Sequence, residues 1–138
     1  MRARSDAGFT LIEIMVVVLI LGLLAALVTQ KFINSGDRGY VGAAKTQIKS
    51  LQAAVQTFRL DNGRYPTAGE GLAALKPPPP ADLPRYDPEG YMDRIPVDPW
   101  GRPFLYLSDG RSFEIVSYGR DGIEGGDSYD ADISNRSL

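Results

Sequence analysis

The chain has 138 residues and a formal charge of −2, which suits one modest domain and gives no electrostatic reason to bind nucleic acid or an anionic surface. It contains neither cysteine nor histidine. Their absence excludes a disulfide framework, a thiolate metal site, a thiol nucleophile and a Ser-His-Asp arrangement, and removes the commonest general base.

The first element is the run "AGFTLIEIMVVVLILGLLAALV" at residues 7–28. From Phe9 to Val28 it is about 20 residues, or ~30 Å of helix, the thickness of a bilayer's hydrocarbon core. Arg2 and Arg4 precede it, and the positive-inside rule then puts the N-terminus in the cytoplasm and the bulk of the chain outside. A single carboxylate, Glu13, interrupts the run. A secretory signal peptide does not account for it, because the run is too long and no A-x-A site follows. A plain signal anchor explains length and orientation but not Glu13, since a charge at the bilayer centre costs about 2.5–3.5 kcal/mol on insertion scales, less near a helix end. Cleavage between Gly8 and Phe9 explains all three features. It creates an amine on Phe9, on the same helix face as Glu13 of its own chain. On an axially staggered neighbour that amine can meet the Glu13 carboxylate in low dielectric, so Glu13 reads as an assembly device.

The stretch "GFTLIEIMVVVLILGLLAAL" resembles the processing and assembly segment of type IV pilins and type II secretion pseudopilins. The resemblance implies that a membrane prepilin peptidase cuts after Gly8 and methylates Phe9, and that Glu13 is the family's assembly glutamate. Members often carry a proline just beyond the apolar run, where this chain reads Val28-Thr29-Gln30-Lys31. Melting of the helix there during assembly is therefore not carried over.

After "NSGDRG" at residues 34–39, a weak point with two glycines, helical periodicity resumes. Val41, Ala44, Ile48, Leu51, Val55 and Phe58 draw one apolar stripe, while Lys45, Gln47, Lys49, Gln52, Gln56 and Arg59 form a solvated face. An amphipathic helix over 40–60, packed on its own domain, accounts for the stripe, which is under three heptads and short for a coiled coil. "DNGRYP" at 61–66 ends it. A single helix from Phe9 to Leu60 would reach ~78 Å, bent or loosened near 36–39.

The remainder is rich in glycine and proline and predicts turns. Within the loop 61–100, Thr67 and Glu70 fit a capping box ahead of a short helix with Leu72, Ala74 and Leu75. "KPPPPADLPRYDPEG" reads as an extended surface loop, and "DPWG" as a tight turn with Trp100 as a packing anchor. "PFLYLS" and "SFEIVSYG", separated by Asp109-Gly110, predict a β-hairpin over 103–118. One strand or a short ribbon before them would complete a small antiparallel sheet against the 41–60 stripe.

The acidic loop at 119–134 carries Asp121, Glu124, Asp127, Asp130 and Asp132 among glycines, without lysine. Taken by themselves these residues fit either a solvated loop or a site for a hard cation with oxygen ligands; the spacing is not that of an EF-hand. "DNGRYP", "DPWG" and "SYGRDG…GG…DADI" together look like the major pseudopilins of type II secretion systems. That resemblance implies calcium in this loop, with Asp121, Asp130 and Asp132 as carboxylate ligands and the Tyr118 carbonyl as a backbone ligand. Asp127 or Ser128 would complete the shell.

These readings predict a type IV pilin-like α+β fold: a cleaved leader at 1–8, a transmembrane and assembly helix at 9–30, and a periplasmic head at 31–138 with a C-terminal calcium-binding loop. By resemblance the chain is a non-enzymatic subunit of a periplasmic homopolymer that helps export folded proteins through the outer membrane. Its implied partners are other pseudopilins and an inner-membrane assembly platform. A type IV pilin for adhesion, motility or DNA uptake is the nearest alternative, although such pilins often have a cysteine-bridged loop. A membrane-anchored enzyme with Asp121 and Asp130 in a cleft is the alternative from another class.

Overall fold

The computed structural model describes residues 8–138, excepting the side chains of 29–35. Residues 1–7 of the expected leader, with Arg2 and Arg4, and the Gln30 side chain lie outside the described residues. Helix α1 runs Leu11–Asn62. It stops where Gly63, at φ 73°, donates its N–H to the Arg59 carbonyl at 2.8 Å, a left-handed residue that costs glycine little. The chain divides between Gly36 and Asp37 into two units.

In the first unit the apolar side chains of α1 face outward from Leu11 to Val28. In the second, the predicted stripe is the core: Ala44, Ile48, Leu51, Val55 and Phe58 are fully buried, with Val41 packed at its edge. Residues 34–39 are helical within α1, and the second unit begins among them, at Asp37. Each helical glycine costs roughly 1 kcal/mol against alanine. Two side-chain ties offset that cost, because Asp37 accepts from Arg120 Nη1 at 3.1 Å and Arg38 Nε donates to the Tyr129 hydroxyl at 3.3 Å.

The capping box at Thr67 and Glu70 forms in both directions, at 2.8 and 3.2 Å, and leads into a 3₁₀ turn at Gly71–Leu75 that buries Leu72, Ala74 and Leu75. Trp100 packs against the core and meets Tyr40 of α1 edge-on, with ring centroids 6.0 Å apart. The hairpin consists of β1, Leu105–Ser108, and β2, Phe113–Ser117. Its turn is four residues long, closed by Asp109 Oδ1, which accepts from the backbone N–H of Arg111 and of Ser112.

The third strand differs from expectation. Among the described residues, the chain before the hairpin contributes only a bridge between Val97 and Pro103. The strand that completes the antiparallel sheet, β3 at Ile133–Ser134, comes after it and pairs with β2, giving the order β1-β2-β3. Ile133 is buried, which pins the far end of the acidic loop to the sheet.

Candidate functional site

At the N-terminal end, Gly8 to Thr10 are non-helical and exposed, and α1 begins at Leu11. Thr10 and Glu13 form a capping box. The Thr10 N–H donates to Glu13 Oε2 at 2.8 Å, and the Glu13 N–H donates to Thr10 Oγ1 at 3.3 Å. Two of the N–H groups that a helix start leaves without partners are thereby satisfied. The carboxylate also sits at the positive end of the helix dipole. Behind it, Leu11–Val28 has a mean hydropathy of 3.0 and is the one helix segment among the described residues long and apolar enough to cross a membrane. The bond expected to be cut, Gly8–Phe9, therefore lies in exposed backbone immediately ahead of a helix that starts on its own cap.

In the acidic loop, the carboxylates accept hydrogen bonds from the chain itself. Asp130 is engaged through both oxygens by Arg120, whose Nε and Nη2 donate at 2.8 and 3.0 Å. Those hydrogen bonds, foremost among the causes, hold the Asp130 carboxyl below its ordinary range. Asp121 Oδ1 accepts from the Ile123 N–H at 3.0 Å, and the Tyr118 carbonyl accepts from the Gly122 N–H at 3.2 Å. Asp127 precedes the 3₁₀ turn Ser128–Asp130, in which Ser128 has a positive φ of 56°. Asp132 Oδ2 accepts from the Gly125 N–H at 3.0 Å, whereas its Oδ1 is buried without a partner.

Gly119 and Gly126 let the chain close on the Asp130 carbonyl. A Cβ on either would stand 2.9 or 2.6 Å from that oxygen. The structure does not bring Asp121, Asp130 and Asp132 to one point, and among the described residues no group of three acidic side chains is placed to hold a metal ion. The donor set of carboxylates and glycine-turned carbonyls suits a hard cation. The orphaned Asp132 Oδ1 fits one as well, while Asp130 is already occupied.

Three residues outside the predicted site organise this region. Besides Arg120, Arg102 donates through Nη1 to the Gly119 and Arg120 carbonyls at 3.1 and 3.2 Å. The loop lacks lysine, but these two guanidinium groups supply the compensating charge. Asp98 is buried, and its Oδ1 accepts from the N–H groups of Trp100 and Arg102 while its Oδ2 accepts from Ser117 Oγ. The "DPWGR" and "GRDG" strings contain all three residues, but the Ser117, Gly119 and Asp37 partners of Asp98, Arg102 and Arg120 lie outside those local turns or far away in sequence.

A capped, outward-facing apolar helix leading into a small antiparallel head defines a pilin-like assembly subunit. The family model described as "Type II secretion system (T2SS), protein G" matches residues 31–136, and the "Prokaryotic N-terminal methylation motif" matches residues 3–29. The chain is 47% identical to a type II secretion system core protein G of Pseudomonas aeruginosa, over 98% of each chain. It is 42% identical to that of Vibrio cholerae, covering 97% of this chain and 94% of the relative. A crystal structure of the major pseudopilin from the type 2 secretion system of enterohaemorrhagic Escherichia coli superposes with a TM-score of 0.64 at 34% identity, covering 77% of this chain and 94% of that one. The chain belongs to the type II secretion system protein G family, the major pseudopilins. These are structural subunits of the secretion system and not enzymes, and the methylation motif with the apolar helix fits a membrane-anchored component.

Proposed function

We propose that the mature chain starts at a methylated Phe9, spans the inner membrane once with its N-terminus in the cytoplasm, and is extracted into a periplasmic pseudopilus. There it is the repeating subunit, in contact with other pseudopilins and with an inner-membrane assembly platform. The observation that carries this reading is the outward-facing apolar helix headed by Glu13. In lipid, those side chains contact acyl chains; in a filament, they contact the same helix of neighbours. The repeated contact is heterologous, so it propagates as an open helix rather than closing. Glu13 satisfies one N–H of its own helix start, and its charge remains available to the Phe9 amine of a staggered neighbour.

The acidic loop is proposed to bind calcium through Asp132 and Asp121 with the Tyr118 carbonyl, and through Asp130 once Arg120 releases it, with Asp127 or Ser128 completing the shell. The orphaned Asp132 Oδ1 supports this. When bound, the ion supplies charge neutralisation and a cross-link between the end of β2 and β3. The test of the whole reading is deletion of the chain, scored for secretion of folded exoproteins and for surface pili. Loss of secretion with pili intact supports it; lost pili with normal secretion would point to a type IV pilin.

A further inference from the structure

The acidic loop holds a cation of its own. Arg120 lies between two carboxylates from distant parts of the chain, with its Nε and Nη2 on Asp130 and its Nη1 on Asp37 Oδ2 at 3.1 Å. The main chain repeats the tie, since the Arg120 N–H donates to the Tyr129 carbonyl at 3.0 Å, and Arg38 holds the Tyr129 hydroxyl. A carboxylate gripped by a planar fork has both oxygens committed. Asp132 is the reverse case, a carboxylate with one buried oxygen and no donor for it. The loop thus combines a filled acceptor with an unfilled one.

We propose that Arg120 is the resident counter-ion of the acidic loop, which calcium must displace from Asp130, so that Arg120 sets how strongly the loop takes calcium. The inference rests on the calcium reading above and adds a competitor to it. Asp37 is buried on α1, so the guanidinium keeps one partner when Asp130 leaves it, and exchange does not require Arg120 to be expelled into solvent. Arg120 is a positioning residue. It holds Asp130 beside Gly119 and Gly126 while the cation is absent, and its charge opposes a divalent ion entering next to it. Unpaired carboxylates would repel one another and loosen the loop at low calcium; with Arg120 in place, the loop stays closed.

The test is calcium titration of the detergent-solubilised full-length chain by calorimetry, with thermal melts in chelator on the same samples, for the wild type, Arg120→Gln and Arg120→Lys. Arg120→Gln is expected to bind calcium roughly fivefold tighter, the scale of a partly exposed ion pair, and to melt lower in chelator. Arg120→Lys, a point charge in place of a fork, is expected to fall between. Should Arg120→Gln fail to fold, tighter binding by Arg120→Lys supports the proposal, and equal or weaker binding overturns it. An unchanged or weaker calcium affinity in Arg120→Gln, with melts lowered equally in calcium and chelator, overturns the counter-ion role and leaves the calcium reading standing. No binding by wild type or by either variant overturns both.

Discussion

Glu13 and Thr10 cap each other at the start of α1: the carboxylate accepts the Thr10 amide at 2.8 Å and the Thr10 hydroxyl accepts the Glu13 amide at 3.3 Å. The charge in the apolar run is therefore not an isolated burden on insertion. It sits at the helix end, where the backbone has donors to spare and the cost of a membrane charge is lowest. The same residue can start the helix in each subunit and offer charge to the next.

Processing is expected between Gly8 and Phe9, in exposed, non-helical backbone. Mass spectrometry of the membrane-extracted protein is expected to show a chain beginning at Phe9 and carrying one N-methyl group. A chain that still begins at Met1, or one cut near residue 25, would contradict the site.

Asp98 is the keystone between the "DPWG" turn and the sheet. Asp98→Ala strips acceptors from the Trp100 and Arg102 amides and from the buried Ser117 hydroxyl. Leaving such donors unpaired is expected to cost about 2–4 kcal/mol. Thermal melts followed by the fluorescence of Trp100, the single tryptophan, measure it; a melting temperature equal to wild type would refute the role.

Glu70 gives the head an acid sensitivity. Its hydrogen bonds from Arg64, at 2.7 and 2.8 Å, are the largest cause lowering its pKa from 4.5 to about 2. A depressed carboxyl contributes stability that is present above the unfolded pKa and lost as pH falls through the folded one, here between about 4.5 and 2. Arg64 is a third exposed, so the contribution is about 1–2 kcal/mol after solvent screening. Glu70→Gln should lower stability at pH 7 and flatten its decline over that window. Parallel stability curves for the two proteins would show that the pair is not responsible.

For the loop, calcium binding to the folded state alone adds roughly 2.7 kcal/mol at a hundredfold excess over the dissociation constant. Sites of this kind can be as weak as ~10⁻⁴–10⁻³ M. Chelator should lower the melting temperature of the detergent-solubilised chain. Asp132→Asn should abolish the response to calcium, because it removes the charge on the carboxylate whose Oδ1 has no donor. Identical melts with calcium and with chelator would return the loop to an ordinary solvated one.

Local chemistry made much of this chain legible. The stripe from Val41 to Phe58, the Thr67–Glu70 box and the Asp109 turn each depend on neighbours within a few residues, and each formed as its residues imply. β3 was hidden because two residues carry no periodicity; only the burial of Ile133 reveals it. The role of Arg120 carries no local signal, since its partner Asp37 lies 83 positions away.

Glu13→Gln separates the two functions of the glutamate most directly. Glutamine can still accept the Thr10 amide and close the capping box, but it carries no charge for a neighbour's Phe9 amine. Disulfide crosslinking between cysteines placed along the apolar helices of adjacent subunits, read beside membrane insertion and exoprotein secretion, measures the outcome. The account predicts normal insertion, weak or absent crosslinked ladders and lost secretion. Full ladders with normal secretion in Glu13→Gln would contradict the claim that this charge assembles the filament.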